Sequence, residues 1–189
     1  TRELTKVLCE HGVMMGKIVF DDEPDKVPEA TYAGINYVDK VSCKEVIRYN
    51  EGAGKKKVVL VDCGVKTNII RCLQKRDVEV IRVPWNHDFT GMEYDGLFIS
   101  NGPGDPDTCD EAVQHIRKAM SLSDKPIFGI CMGNQLLSKA GGATIYKLKF
   151  GHRSHNQPVR MLGTERCFIT SQNHGYAVDN NTLGTDWEP

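Results

Sequence analysis

One of the seven cysteines stands where a nucleophile belongs. Cys131 lies in Gly129-Ile130-Cys131-Met132-Gly133, after the apolar run 126–130 and before residues 134–140, a helical stretch stopped by Gly141-Gly142. A strand that turns sharply into a helix holds the residue at the turn in a tight, strained backbone. Only small neighbours fit on either side of it, and Gly129 and Gly133 meet that requirement. At a helix N-terminus the free amides and the positive end of the dipole favour thiolate over thiol, so the expected Cys131 pKa is lowered and Cys131 is the expected first site of alkylation. The Met132 N–H is placed to meet a developing oxyanion. Cys9, Cys43, Cys63, Cys72, Cys109 and Cys167 lack this setting and read as small hydrophobes of a reducing compartment.

A second loop, Ser100-Asn101-Gly102-Pro103-Gly104-Asp105-Pro106, also leaves the end of an apolar run. Its prolines and glycines keep its amides out of a helix and free to face a carbonyl oxygen. A cysteine nucleophile also needs a base within hydrogen-bond reach. Of the six histidines, His174, between Asn173 and Gly175, is the best local candidate. His152 and His155 have a spacing that zinc ligands sometimes show, but no cysteine or aspartate stands at ligand spacing beside them, and no metal is expected. Neither G-x-x-x-x-G-K-[ST] nor a G-x-G-x-x-G after a strand occurs, so ATP is not expected on this chain.

The elements that must position these loops follow from the apolar pattern. Runs at 58–61, 78–83, 96–99 and 126–130 are continuous rather than alternating, as in strands covered on both faces. Between them Ile69, Ile70 and Leu73 form one helical stripe, and Ala112, Val113, Ile116, Ala119 and Met120 form another, with Asp110 as its N-cap. This alternation predicts an α/β fold with an open, mostly parallel, flavodoxin-like sheet and helices on both faces. Cys131 and the 100–106 loop then share the carboxyl edge of the sheet, where such folds bind ligands. Beyond Gly142 the strand-like stretches 144–149, 159–162, 166–170 and 176–178 lack intervening helices and predict antiparallel additions at one edge.

Residues 2–10 carry Leu4, Val7 and Leu8 at helical spacing, with Thr1 as cap and Gly12 past the end. Turn-rich stretches at 21–28 and 50–57 follow, and a domain boundary is expected near 55. With 24 basic against 25 acidic residues the net charge is −1, which offers no field for nucleic acid or an anionic membrane. No apolar run approaches the roughly 18–20 residues of a membrane span. No charged-then-apolar leader opens these residues, and a cytoplasmic location is expected.

With Cys131 and both loops located, the chain resembles the glutaminase (small) subunit or domain of glutamine-dependent carbamoyl phosphate synthase, a class I, triad-type glutamine amidotransferase. The resemblance runs almost end to end. Thr1-Arg2-Glu3-Leu4-Thr5 is similar to the tail of that family's N-terminal domain, which makes 1–55 a remnant of that domain plus linker and 56–189 an amidotransferase domain incomplete at its C-terminus. Val61-Asp62-Cys63-Gly64-Val65-Lys66-Thr67-Asn68-Ile69-Ile70-Arg71 resembles the opening strand and helix of the amidotransferase domain. Gly151-His152-Arg153-Ser154-His155-Asn156-Gln157-Pro158 and Ser171-Gln172-Asn173-His174-Gly175-Tyr176-Ala177-Val178 are its most particular segments.

The resemblance implies that Cys131 attacks the side-chain amide of L-glutamine, releasing ammonia for a large synthetase subunit that uses ATP, magnesium and bicarbonate, with no cofactor on this chain. It implies oxyanion amides at Gly104 and Met132, and glutamine contacts from Gly102, Gly104, Met132, Gln135, Asn173, Gly175 and Tyr176. It makes His174 a neighbour of the glutamine pocket rather than the base. Some family members that use free ammonia have lost the cysteine, and this chain keeps it. Two departures stand out. The family's Gly-His-Gln is here Gly133-Asn134-Gln135, and the His-Pro-Glu triplet that carries its base and orienting acid is not found in residues 1–189. A docking surface for the synthetase is expected to be apolar and uncharged, with part of it in residues 1–55. The competing readings are a catalytically silent module that regulates a synthetase, and an unrelated cysteine hydrolase, which would lack the last two segments.

Overall fold

The computed structural model describes residues 2–19, 31–52 and 55–188. The Thr1 cap and the 21–28 stretch lie outside them. The described residues form two compact units, one of Ile35–Tyr146 with the residues from Val178 on, the other of Lys147–Ala177 with the residues up to Gly34.

In the larger unit, β1 (Ile47–Tyr49), β2 (Lys56–Asp62), β3 (Val78–Pro84), β4 (Gly96–Ile99) and β5 (Ile127–Gly129) form one sheet in the order β1-β3-β2-β4-β5. All pairings are parallel except β1 on β3. The order reverses at β2, because the crossover from β2 to β3 runs one way and that from β4 to β5 the other. Right-handed crossovers then put α3 (Thr67–Gln74) on one face and α4 (Asp110–Leu122) on the other, where α5 (Met132–Ala140), following the last strand, packs beside α4.

Alternation along the strands divides the apolar runs between these faces. Val59, Val61, Ile81, Val83, Leu97 and Ile99 pack with Ala112, Ile116 and Leu136, whereas Leu60 and Val80 pack with Ile70. Strand β5 departs from the expected two-sided burial. It ends the sheet, and Phe128 stays 60% exposed with its ring 5.4 Å from Phe98. Asp110 is not the N-cap expected of it. It is the first residue of α4, and its carboxylate meets Lys139 of α5 at 3.2 Å.

Residues 35–49, ahead of the expected boundary near 55, pack in this same unit. Asn36 caps the short helix α2 (Tyr37–Val41) by accepting from the Asp39 amide, and Val38 is fully buried in the core. Both α2 and β1 are too short to show a period in sequence.

In the smaller unit, α1 (Arg2–His11) forms as its spacing predicts, and Gly12 (φ +81) ends it, its amide returning to Leu8 O. No α1 residue is buried. The expected edge additions are instead two long strands, β6 (Ile145–Arg160) and β7 (Cys167–Val178), forming a separate two-stranded sheet. Contacts His155–Ser171, Thr170–Gln157 and Met161–Arg166 run in opposite directions, as a hairpin requires. The 150–158 stretch reads as a loop because of its Gly, Ser, Asn and Pro, yet cross-strand pairing keeps it extended.

Candidate active site

Strand β5 ends at Gly129, and the Ile130 amide makes one further bond, to Ile99 O at 3.0 Å, before the chain turns. Cys131 takes φ 53°, ψ −109°, a conformation that costs a side-chain-bearing residue roughly 1–3 kcal/mol. The α5 bonds that begin at once hold it there, with Gly133 N–H to Ile130 O at 2.9 Å and Gln135 N–H to Cys131 O at 3.1 Å. Both flanking glycines are required. A Cβ on Gly129 would stand 2.5 Å from the Gly133 carbonyl, and one on Gly133 would overlap the Ile99 carbonyl. The turn from β5 into α5 is therefore a tight strand-to-helix elbow at the carboxyl edge of the sheet, the geometry expected of the sequence.

Electrostatics at the sulfur run against the sequence expectation. The Met132 amide donates to the thiol and the Lys66 ammonium also favours its ionisation, but burial outweighs both and pushes the Cys131 thiol above its ordinary value. The packing that buries the residue also removes the water a thiolate needs. A thiol in this state is a weak nucleophile until a base takes its proton.

The 100–106 loop stands beside the elbow, because Gly133 packs against the carbonyls of Ile99 and Ser100. Gly102 is pressed onto the Cys63 carbonyl, where no Cβ would fit. Gly104 takes φ +95°, and a Cβ there would lie 3.3 Å from Tyr37 Cβ. Pro106 then opens a short 3₁₀ turn, with Asp105 accepting from the Asp107 amide. Gln135 is 6% exposed on the first turn of α5. The structure thus brings Cys131, Met132, Gln135 and the Gly102–Gly104 loop to one edge.

Asn173, Gly175 and Tyr176 belong to the other unit, on β7. There His174 uses Nδ1 on Tyr176 O at 2.8 Å and Nε2 on Gln172 Oε1 at 3.3 Å, and its ring meets His152 edge-on at 4.9 Å. His155 pairs with Ser171 Oγ at 3.0 Å. Among the described residues no group of three His, Cys, Asp or Glu side chains is placed to hold a metal ion.

Sequence reasoning missed the support beneath the site. Asp62, fully buried at the end of β2, accepts from the amides of Gly64 (2.9 Å), Val65 (2.8 Å) and Cys43 (2.7 Å) and from Arg82 (2.5 Å). Burial raises its carboxyl, but these amides and the guanidinium outweigh burial and hold it below the usual carboxylate value. A carboxylate closing an apolar strand two residues before a glycine was the available signal.

Residues 59–189 match the family model described as glutamine amidotransferase class-I. The chain belongs to this family. It is 48% identical, over 99% of its length, to the multifunctional protein CAD of Squalus acanthias, of which it covers 8%. Over its full length it is 46% identical to human mitochondrial carbamoyl-phosphate synthase [ammonia] and 45% identical to the arginine-specific small chain of carbamoyl phosphate synthase of Saccharomyces cerevisiae, covering 12% and 48% of them. The chain thus spans half or less of these relatives. Among solved structures, a GMP synthase subunit from Thermoplasma acidophilum matches with TM-score 0.60 and 25% identity over 69% of each chain. A glutamine amidotransferase from Thermotoga maritima, 16% identical, shares the fold, with TM-score 0.51 over 66% of this chain and 62% of that one. The α/β architecture expected of the sequence is therefore that of class-I amidotransferases. Among the described residues no helix is long and apolar enough to cross a membrane.

Proposed function

We propose that the chain carries the glutamine-hydrolysing site of a glutamine-dependent carbamoyl phosphate synthase, with Cys131 as nucleophile. The Cys131 sulfur attacks the glutamine amide carbon, and the amides of Met132 and Gly104 receive the negative oxygen. A proton passes to the amide nitrogen, the C–N bond breaks, and ammonia leaves a thioester. Water then adds to the thioester, the C–S bond breaks, and glutamate and the thiol are restored. Gly102 and Gln135 hold the glutamine, and Asn173, Gly175 and Tyr176, in the other unit, carry only the glutamine role that the family resemblance implies. The observation that carries this reading is the elbow, since a strained, glycine-flanked cysteine with an amide on its sulfur has no structural purpose in a silent module.

Because burial raises the Cys131 thiol, the reaction needs a base, and this reading takes it from a His-Pro-Glu segment outside residues 1–189. Asn134 can hydrogen-bond but cannot replace a titrating histidine. The ammonia goes to a synthetase component that holds ATP and magnesium; released into neutral water it would become ammonium and lose its lone pair. The docking surface for that component includes part of residues 1–55, with α1, whose Leu4, Val7 and Leu8 are exposed, as its first candidate. A cytoplasmic location is part of the proposal, although the name of the human relative places that protein in mitochondria.

Glutamate release by residues 1–189 is expected to be slower, by roughly 10²–10⁴-fold, than release by the longer protein containing the base, because that is the usual worth of general-base assistance. Cys131→Ala abolishes it in both. Full turnover by residues 1–189 that is lost in His174→Ala would make His174 the base and overturn this assignment.

A further inference from the structure

The loop that offers the Gly104 amide does not stand alone. A second loop, residues 63–66 at the end of β2, runs beside it, and the fixed points between the two are side chains of residues 100 and 101. Ser100 is fully buried, and its hydroxyl accepts from the Cys63 amide and donates to Asn101 O, both at 2.9 Å. The Asn101 side chain spans the gap in both directions. Its Oδ1 accepts from the Lys66 amide at 3.4 Å and its Nδ2 donates to Gly64 O at 3.3 Å.

Loop 63–66 is itself anchored, through Gly64 and Val65, to the buried Asp62 carboxylate. The bonds therefore run from a charge in the core, through one loop, to the loop that carries Gly102 and Gly104. Among the described residues Asn101 is the member of the 100–104 segment whose side chain hydrogen-bonds to residues 64 and 66, while the Pro103 ring packs beside Gly64 without a polar contact. Ser100 fixes the start of its strand end, while Tyr37 limits Gly104 from outside.

We infer that Asn101 is a positioning residue for glutamine hydrolysis, setting the place of the Gly102–Gly104 backbone relative to Cys131 without itself touching the substrate. This inference rests on the glutamine-hydrolase reading above. Its physical basis is that an oxyanion donor works only where charge develops, and a displacement of about 1 Å costs up to about 10²-fold. Asn101 is half-buried, so its loss leaves few orphaned polar groups and the fold should tolerate it.

The test uses the longer protein that hydrolyses glutamine. In Asn101→Ala, kcat is expected to fall roughly 10- to 100-fold with KM changed less than about threefold. Affinity for the aldehyde analogue of glutamine, which adds the cysteine thiol across its carbonyl to give a tetrahedral oxygen, falls by a similar factor. Affinity for the product glutamate stays within about threefold. Asn101→Ser, which keeps one donor toward the 63–66 loop, recovers part of kcat. An unchanged kcat would overturn the assignment. So would an equal loss of aldehyde and glutamate affinity accompanied by a lowered melting temperature, which marks general damage to the fold. If the unsubstituted protein fails to hydrolyse glutamine, the functional reading fails instead, and the two failures are distinct.

Discussion

The elbow and the β6–β7 hairpin both carry residues assigned to glutamine, but they are built in opposite ways. Around Cys131, which stays half-buried, the supporting side is closed: Gly129 and Gly133 are in contact with backbone, Leu136 and Met132 are buried, and Asp62 ties the neighbouring loop to the core. Along the hairpin Phe150, Val159, Met161, Leu162, Phe168 and Ile169 remain exposed. A two-stranded sheet by itself is marginally stable in water. Reactive geometry is thus bought with packing, whereas Asn173, Gly175 and Tyr176 stand on an element with little packing of its own.

The largest expected difference is at the buried charge that anchors the 63–66 loop. Asp62→Ala leaves Arg82 and three amides facing a void, and a loss of about 3–5 kcal/mol is expected in denaturant unfolding. Ile169→Ser, at a position 69% exposed on the hairpin, should change stability by less than about 0.5 kcal/mol. The same aspartate sets a pH dependence. Its folded carboxyl titrates below the unfolded value of about 4, so its contribution is present above that pH and lost as the pH falls through the folded value. Melting temperature followed from pH 6 to pH 3 should therefore drop less steeply in Asp62→Asn; parallel curves would remove Asp62 from this role.

One substitution made in both regions sharpens the contrast. Gly133→Ala drives a Cβ into the Ile99 carbonyl, which the sheet holds fixed, and should cost about 3 kcal/mol. In Gly175→Ala the nearest atom is Arg153 Nη2 at 3.2 Å, the end of a flexible side chain, and the expected cost is under about 1 kcal/mol. Equal costs would mean that the hairpin is as tightly packed as the elbow.

The smallest expected effect is an order of labelling rather than an energy. Under limiting iodoacetamide, exposed Cys9, Cys72 and Cys167 should react before Cys131, reversing the order expected from the helix dipole. Cys63 and Cys109 come last, the Cys63 thiol pushed well up by burial and that of Cys109 to about 11. Mass spectrometry of the alkylated peptides decides this, and early labelling of Cys131 would show that burial does not control it.

Sequence alone was enough for the parallel sheet, because continuous apolar runs separated by 3.6-periodic stripes admit few other arrangements, and for the elbow, because glycine at 129 and 133 answers a local steric demand. Neither β1 nor α2 was legible, since elements of three and five residues carry no period, and only pairing with β3 and burial of Val38 create them. The hairpin was legible as strands but not as one continuous pair, because a polar, glycine- and proline-containing stretch becomes extended only when a partner strand satisfies its backbone.

What the sequence decided is which cysteine stands on the strand-to-helix turn and at which edge of the sheet. What tertiary structure decided is the state of that residue. The dipole and the Met132 amide act locally and point one way, but burial depends on everything packed around Cys131, and it reverses their sum. The same holds for Asp62. In sequence it is one charge after four apolar residues, and its partners Cys43, Gly64, Val65 and Arg82 come together only when β2, β3 and the chain before β1 are folded against one another.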